Sequence, residues 1–522
     1  MPCRWETRPK PILCSVSSQA VCWLDLLFVS RFCVVNSIIM THRSNAFQPS
    51  SLPAGDKHNP DAARRALRRL LLWGSLGVVL VLIGICAYAV AYPEKMPDVI
   101  GEIVEDWTGA NPHPAHLVLP PTEPLGALAQ LGQKIFNDPS LSASGTQSCA
   151  SCHSPQHSYG PPNSFPVQLG GAHMTQAGYR PPPSLTYLYR QLPFSIGPDP
   201  AESDVPVNLD QAASAAQGAT RVTKTAGAAT AAPNIVPQGG LFWDGRADTL
   251  QMQAIGPMMN PVEMANASEA EVARKLVQSK YHDMFKPLFG DNILNKPSLL
   301  VAEAMSAVAR YQIEDPSFHE FSSKYDYWLQ GKARLTHAEL RGMRLFNDQN
   351  KANCAGCHLS QVTKDGLPPL FTDTQYEALG APRNPAIPLN KDPKFFDMGV
   401  CGPFRTDIAA QTQFCGMFLT PTLRNTATRS VYFHNGVYHT LQQVMDFYNL
   451  RNTNPDKIYP HDASGKVLKY NDLPVRFQAN VDVADAPFDR KSGDKPAMTE
   501  DEIQDIISFI RTLNDGYKPN GS

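Results

Sequence analysis

Cys149-Ala150-Ser151-Cys152-His153 and Cys354-Ala355-Gly356-Cys357-His358 both spell C-x-x-C-H, the covalent attachment sequence for c-type haem. Two thiols one helical turn apart add to the two vinyl groups of the porphyrin, and the adjacent histidine then lies beneath the iron as proximal ligand. Cys149, Cys152, Cys354 and Cys357 are therefore the expected thioether positions, and His153 and His358 the expected iron ligands. A thioredoxin-like C-x-x-C does not require a following histidine, and a zinc site would join the two runs through one metal. The sequence predicts two covalently bound haems and redox chemistry.

The chain has 522 residues, enough for two or three domains. Its formal net charge is −2, and no basic run is long enough to argue for nucleic acid as a partner. Residues 70–92, LLLWGSLGVVLVLIGICAYAVAY, form an almost unbroken apolar stretch behind Arg64, Arg65, Arg68 and Arg69. That is long enough to span a bilayer, and the arginines mark its cytoplasmic side. The stretch reads as an inner-membrane anchor that leaves the rest of the chain in the periplasm; cleavage after Ala87-Tyr88-Ala89 is the alternative. Residues 1–39 contain Cys3, Cys14, Cys22 and Cys33 and have no readable role, and Met40 is a candidate start. Beyond the apolar stretch only Cys401 and Cys415 stand outside the haem motifs. An oxidising compartment favours a disulfide between them, with two buried thiols as the alternative.

One unit is used twice. Leu131-Gly132-Gln133-Lys134-Ile135-Phe136-Asn137-Asp138 precedes the first haem motif, and Arg341-Gly342-Met343-Arg344-Leu345-Phe346-Asn347-Asp348 precedes the second. The shared G-x-x-[IL]-F-N-D is an internal repeat whose Gly, apolar residue and Phe share one helical face, expected to pack against the haem of its own copy. Thr336 and Glu339 open the second helix as a capping box. Near the C-terminus Thr499 and Glu502 cap a helix whose Ile503, Ile506, Ile507, Ile510 and Leu513 form a 3.6-period stripe, expected to dock on the second haem domain. Strand signals are few and prolines frequent, so the fold class is mostly α. The expected divisions are an N-terminal region 1–69, the apolar segment 70–92, a linker 93–123, a first haem domain 124–333 and a second 334–517. Three segments read as loop elaborations, at about 197–240, 367–414 and 452–496.

Together with the haem motifs, Phe242-Trp243-Asp244-Gly245-Arg246, the run Gln253 to Met264, Thr420 to Asn425 (TPTLRN) and Tyr432 to Gly436 (YFHNG) resemble the bacterial di-haem cytochrome c peroxidase and MauG superfamily. The resemblance covers roughly 125–513 and implies two cytochrome c-like domains facing each other, with a peroxidatic haem in the first and an electron-transfer haem in the second. It implies that His153 ligates the peroxidatic iron, and that Glu263 and Gln253 form the distal pair that moves protons as a peroxide O–O bond breaks. It makes Trp243 the relay between haems. Arg246 is a candidate for a haem propionate, with a surface salt bridge as the alternative. His173 falls near a loop ligand of typical peroxidases, but Arg180-Pro181 departs from the surrounding pattern, and His173 reads as an ordinary loop histidine.

Counting from His434 along the helix that Thr440 and Gln443 cap, the distal ligand of the second haem falls on Tyr448, with Met445 one turn earlier as rival. Tyrosine marks the MauG-like branch, and a phenolate lowers the potential relative to a thioether. The family's calcium site is doubtful in this chain, because Pro181 and Arg429 stand at two of its ligand positions. The resemblance implies peroxide reduction to water with electrons from a small cytochrome c or cupredoxin. Oxidation of a protein substrate is the first alternative, and a di-haem carrier without catalysis the second.

Overall fold

The computed structural model describes residues 98–198 and 235–519, with positions 69, 71–81, 83, 84 and 88. The readings made of residues 1–39, and of all but the ends of segment 197–240, lie outside the described residues. The chain divides into Met1–Gly84 and Ile85–Ser522. In the first unit, residues 71–81 are helical and expose Leu71, Leu72, Trp73 and Val81. Among the described residues no helix is long and apolar enough to cross a membrane. A run of this length rises ~16 Å, about half the ~30 Å hydrocarbon core of a bilayer. The span expected over 70–92 is therefore not supported, and the positions that would extend this run lie outside the described residues.

The second unit is mostly helical and has its long helices in two pairs. Helix α1 (Ala127–Phe136) packs on α2 (Pro297–Glu314), and α3 (His337–Asn347) packs on α4 (Glu500–Arg511). The repeated glycine explains both pairings. A Cβ on Gly132 would lie 1.8 Å from the Ala307 carbonyl oxygen, and one on Gly342 would lie 1.9 Å from that of Asp505. Only a residue without a side chain lets the two backbones come so close. The glycine expected to face haem therefore faces the partner helix instead.

Each pair organises its own core. The first is built on Leu131, Ile135, Phe136, Tyr159, Val308, Tyr311 and Phe318. The second is built on Tyr325, Trp328, Phe346, Phe371 and Phe509, beside the stripe of Ile503, Ile506, Ile507 and Ile510 on α4. The capping boxes Thr336/Glu339 and Thr499/Glu502 form as expected. In both copies the Phe meets an aromatic residue of its partner helix edge-on, Phe136 with Tyr311 at 5.6 Å and Phe346 with Phe509 at 5.3 Å.

The described strands form three short antiparallel ribbons. They are β1 (Leu169–Gly170) with β2 (Gln176–Ala177), β3 (Ser195–Pro198) with β4 (Ile235–Gln238), and β5 (Tyr376–Glu377) with β6 (Phe418–Leu419). The second ribbon closes the base of segment 197–240, whose ends pair Pro198 with Ile235. Cys401 and Cys415 are joined by a disulfide with Cα atoms 4.9 Å apart, as expected for an oxidising compartment.

Where the two cores meet, Arg424 is fully buried and donates to both oxygens of the equally buried Asp326 at 2.9 and 2.7 Å. Its guanidinium also donates to the Pro369 carbonyl and lies over the rings of Tyr187 and Phe321. Asp326 in turn caps its own helix through Ser323. Nearby, Asp515 accepts from the Tyr187 hydroxyl at 2.6 Å and the Asn425 amide at 2.7 Å, tying the first core to the C-terminal segment.

Replacing either repeat glycine forces two helices apart. Gly132→Ala and Gly342→Ala are expected to cost about 1–3 kcal/mol or more each, read as lowered melting temperature by circular dichroism. Arg424→Met leaves a buried carboxylate without its cation and is expected to cost about 3–5 kcal/mol in denaturant melts. Unchanged melting in these variants would refute the packing argument.

Candidate di-haem site

Both C-x-x-C-H runs are held by the same local device. The first cysteine pair sits on a single helical turn, Cys149–Cys152, closed by a capping box between Ser148 and Ser151. His153 follows, and its Nδ1 lies 3.2 Å from the Tyr159 carbonyl; His358 Nδ1 lies 2.9 Å from the Phe371 carbonyl. Each of those carbonyls belongs to an aromatic residue in the left-handed region, with φ of 54° in both. Behind each stands a Pro-[Ser/Thr]-Leu run. Ser184 donates to the Ser158 carbonyl at 2.7 Å, and Thr422 donates to the Leu370 carbonyl at 2.6 Å. The following leucines donate their amides to the same carbonyls that hold the histidines, Leu185 to Tyr159 and Leu423 to Phe371. The duplicated unit is thus longer than the G-x-x-[IL]-F-N-D repeat. The recurrence of Pro183-Ser184-Leu185 as Pro421-Thr422-Leu423 was the available sequence signal.

Burial lowers both imidazoles to about 4, so each is neutral. With Nδ1 donating to a carbonyl, Nε2 keeps its lone pair for a metal. The four motif cysteines are unpaired, and burial pushes the Cys149 and Cys354 thiols up to about 12. The structure thus offers thiols for addition and separates them from the disulfide pair.

Around the first motif stand several of the expected distal residues. Glu263 lies in the turn after the helix Leu250–Met259, where the Asn260 amide donates to Oε1 at 2.6 Å. Burial raises its carboxyl above the ordinary range, while the Arg246 guanidinium and the Asn260 hydrogen bond pull it back. Its charge acts on both Cys149 and Cys152, which places it beside the first attachment site. Gln253 is buried on the same helix, about three turns earlier in the chain. Arg246 donates to both oxygens of the fully buried Asp244 and lies 3.7 Å over the Phe242 ring. Its salt bridge is the alternative anticipated from sequence, with a buried partner. His173 is exposed in the loop of the β1–β2 hairpin, where Gly171 donates its amide to the Glu263 carbonyl.

A cavity of about 700 Å³ surrounds the second motif, lined by Cys354, Cys357, His358, Met445, Tyr448 and Trp243. Trp243 donates Nε1–H to the Pro181 carbonyl at 3.1 Å, which fixes its ring. Met445 is buried in the core with Ile503, Ile506, Ile507 and Ile510. Tyr448 stacks on Phe488 at 5.3 Å, and its hydroxyl is pushed up first by burial and then by the Cys357 and Cys354 thiols. Those couplings put the phenol beside the second cysteine pair.

The two C-terminal elaborations turn out to be walls of this site. In segment 367–414, Arg405 donates to the Asp244 and Gly245 carbonyls of the Trp243 turn, and Asp397 accepts two bonds from Arg180 at 2.6 and 2.7 Å. Arg180 also reaches Asp244 at 2.9 Å. From segment 452–496 comes Phe488, which separates Tyr448 from the buried Arg451 guanidinium.

The residues present fit a c-type haem. Besides thiols and neutral imidazoles, the second cavity holds buried donors that lack an acceptor among the described residues, His434 Nε2 and Arg429 Nε. His434 is stacked 3.5 Å from Phe418, and its Nε2 lies 3.6 Å from the nearest Asp472 oxygen. They do not fit a calcium ion at the positions implied by the resemblance, since Pro181 and Arg429 both line the cavity and offer no side-chain oxygen.

Comparison with known proteins agrees with this arrangement. The family described as di-haem cytochrome c peroxidase matches residues 126–334. The methylamine utilization protein MauG of Paracoccus denitrificans (strain Pd 1222) is 34% identical over 334 residues, covering 62% of this chain and 74% of that protein. Cytochrome c551 peroxidase of Nitrosomonas europaea is 28% identical over 327 residues, covering 61% of this chain and 72% of its own length. The crystal structure of the diheme peroxidase BthA from Burkholderia thailandensis E264 is 33% identical with a TM-score of 0.64, covering 77% of this chain and 90% of that one. The chain is an oxidoreductase acting on peroxide, and it belongs to the di-haem cytochrome c peroxidase and MauG family.

Proposed function

We propose that this protein reduces hydrogen peroxide to water at a haem attached through Cys149, Cys152 and His153, with electrons delivered through a second haem attached at Cys354, Cys357 and His358. The observation that carries the reading is the asymmetry of the two sites. A carboxyl group, Glu263, acts on the first cysteine pair, whereas the phenol of Tyr448 is turned toward the second. Bound haem supplies an iron that accepts peroxide oxygen and passes electrons to it. Reduction of one peroxide takes two electrons and two protons and yields two waters.

Glu263 would take a proton from one peroxide oxygen and return it to the other as the O–O bond breaks. Asn260 orients the carboxyl by its 2.6 Å hydrogen bond. The nearby Arg246 charge favours the ionised form that accepts the proton. Gln253 supplies a second hydrogen-bonding group on the distal side. Trp243, held by its bond to Pro181, carries electrons from the second site toward the first. The donor is a small cytochrome c or cupredoxin, and the disulfide fits a periplasmic location.

One observation favours a MauG-like reading of the second site. Met445 and Tyr448 both line the cavity, but Met445 also packs in the isoleucine core, whereas the Tyr448 hydroxyl is acted on by both the Cys357 and Cys354 thiols. We assign Tyr448 as the distal ligand there, and a phenolate lowers the reduction potential of its haem relative to a thioether. Such a haem is suited to storing oxidising equivalents for a protein substrate.

The deciding experiment is turnover of hydrogen peroxide with a reduced cytochrome c, set beside peroxide-dependent oxidation of a co-purified protein. Rapid cytochrome oxidation supports the peroxidase, and oxidation of the protein alone supports the MauG-like alternative. Glu263→Gln is expected to slow peroxide turnover by about 10²–10⁴-fold. Because burial raises the Glu263 carboxyl, wild-type turnover should fall as pH drops through a midpoint above the ordinary glutamate range; the substitution removes that limb. Tyr448→Met should raise the midpoint potential of the second haem and introduce a thioether-to-iron charge-transfer band. A wild-type protein that already shows this band would assign the ligand to Met445.

A further inference from the structure

Arg429 is a half-buried cation whose Nε is enclosed and meets no anion among the described residues. It follows the short 3₁₀ turn Thr426–Thr428, donates its amide to the Thr426 carbonyl, and accepts the Tyr432 hydroxyl on its own carbonyl at 2.8 Å. Its backbone is therefore fully engaged. Its guanidinium lines the second cavity together with Cys354, Cys357 and His358, and Nε is buried with no hydrogen-bond acceptor among the described residues. Burial holds it down at about 10, and the only influence raising it is Tyr432, so no carboxylate compensates its charge. Neighbouring buried arginines are satisfied differently: Arg424 by Asp326, Arg180 by Asp244 and Asp397, and Arg405 by Asp407 and two carbonyls.

The position matters as much as the charge. A Cβ on Gly160 would lie 3.9 Å from Arg429 Cγ and Nε, so the side chain rests against the turn that follows the first attachment motif. Arg429 thus stands between the two motifs, in contact with the loop of one and lining the cavity of the other. Burying a guanidinium is unfavourable unless an anion meets it, and a planar fork matches a carboxylate in two hydrogen bonds. Among the described residues no such carboxylate meets it; a haem carries two on its propionate arms.

We propose that the Arg429 guanidinium binds a propionate of the haem attached at Cys354 and Cys357, and thereby supplies the positive charge at this junction without a divalent cation. The proposal rests on haem attachment at that motif. A fixed cation near a haem stabilises the reduced iron, so the interaction raises the potential of the electron-relaying site. It also repels a calcium ion from the same place.

The test uses the full-length holoprotein and its Arg429→Gln and Arg429→Lys variants. Haem content comes first, from the pyridine haemochrome spectrum and the intact mass; absence of haem at Cys354 and Cys357 in the wild type removes the attachment reading itself. With both haems attached, Arg429→Gln is expected to shift a propionate-bending band in the resonance Raman spectrum and to lower the midpoint potential of the second haem. Arg429→Lys keeps the charge but not the fork, so it should shift the band while lowering the potential less, and it decides the matter if the glutamine variant does not fold. Treatment of the wild type with EGTA should change neither quantity. A band and potential unchanged in the variants, or a wild-type potential that moves with EGTA and returns with calcium, would overturn the proposal.

Discussion

Both halves of the second unit are built around one constraint, a buried imidazole held in a single direction with Nδ1 on a carbonyl. A free histidine rotates and tautomerises. Here Nδ1 is held by a carbonyl on a residue forced into the left-handed region, Tyr159 in one copy and Phe371 in the other. That backbone geometry is unfavourable for an aromatic residue and persists only where its surroundings enforce it. The enforcement comes from the hydroxyls of Ser184 and Thr422, from the amides of Leu185 and Leu423, and from the edge-on contacts of Phe136 and Phe346. Those phenylalanines reach their places because Gly132 and Gly342 let their helices lie against a partner backbone. Helix packing and ligand orientation are thus one problem, solved twice.

The copies diverge in what surrounds the common frame. Around the first, Glu263, Asn260 and Arg246 bring ionisable and hydrogen-bonding groups to the cysteines. Around the second, aromatic rings and the two long elaborations build an enclosing wall, and Tyr448 takes the inner position. The Trp243 turn belongs to the first half in sequence, yet Arg405 and the β5–β6 ribbon of the second half hold it. Leu419 donates its amide to the Trp243 carbonyl at 3.0 Å. Trp243 is consequently held by residues from the second half of the chain.

Much of this was legible in the residues. The C-x-x-C-H spacing points to haem attachment, and a repeated glycine four residues before a phenylalanine announces a duplicated helix. The capping boxes and the isoleucine stripe of α4 are local patterns, and all of them form. Other features were misread for a physical reason. The glycine face was assigned to haem because a helical wheel shows which residues share a face, but not what the face meets. The elaborations at 367–414 and 452–496 are loops as expected, but their order comes from long-range contacts such as Asp397 with Arg180, separated by more than two hundred positions in the chain. The apolar stretch over 70–92 has the composition of a span, whereas its described helical part is too short to be one.

By itself the sequence determined the two C-x-x-C-H motifs, the helical class, the duplication and the cysteines free for disulfide pairing, because each depends on residue type at short separation. Only the tertiary structure decided which side chains face which motif. It set Glu263 near one pair of thiols and Tyr448 near the other, packed Met445 both into the isoleucine core and against the cavity, paired Arg246 with Asp244, and left Arg429 Nε without an acceptor among the described residues. Burial and electrostatic pairing depend on groups far apart along the chain, and no local pattern encodes them.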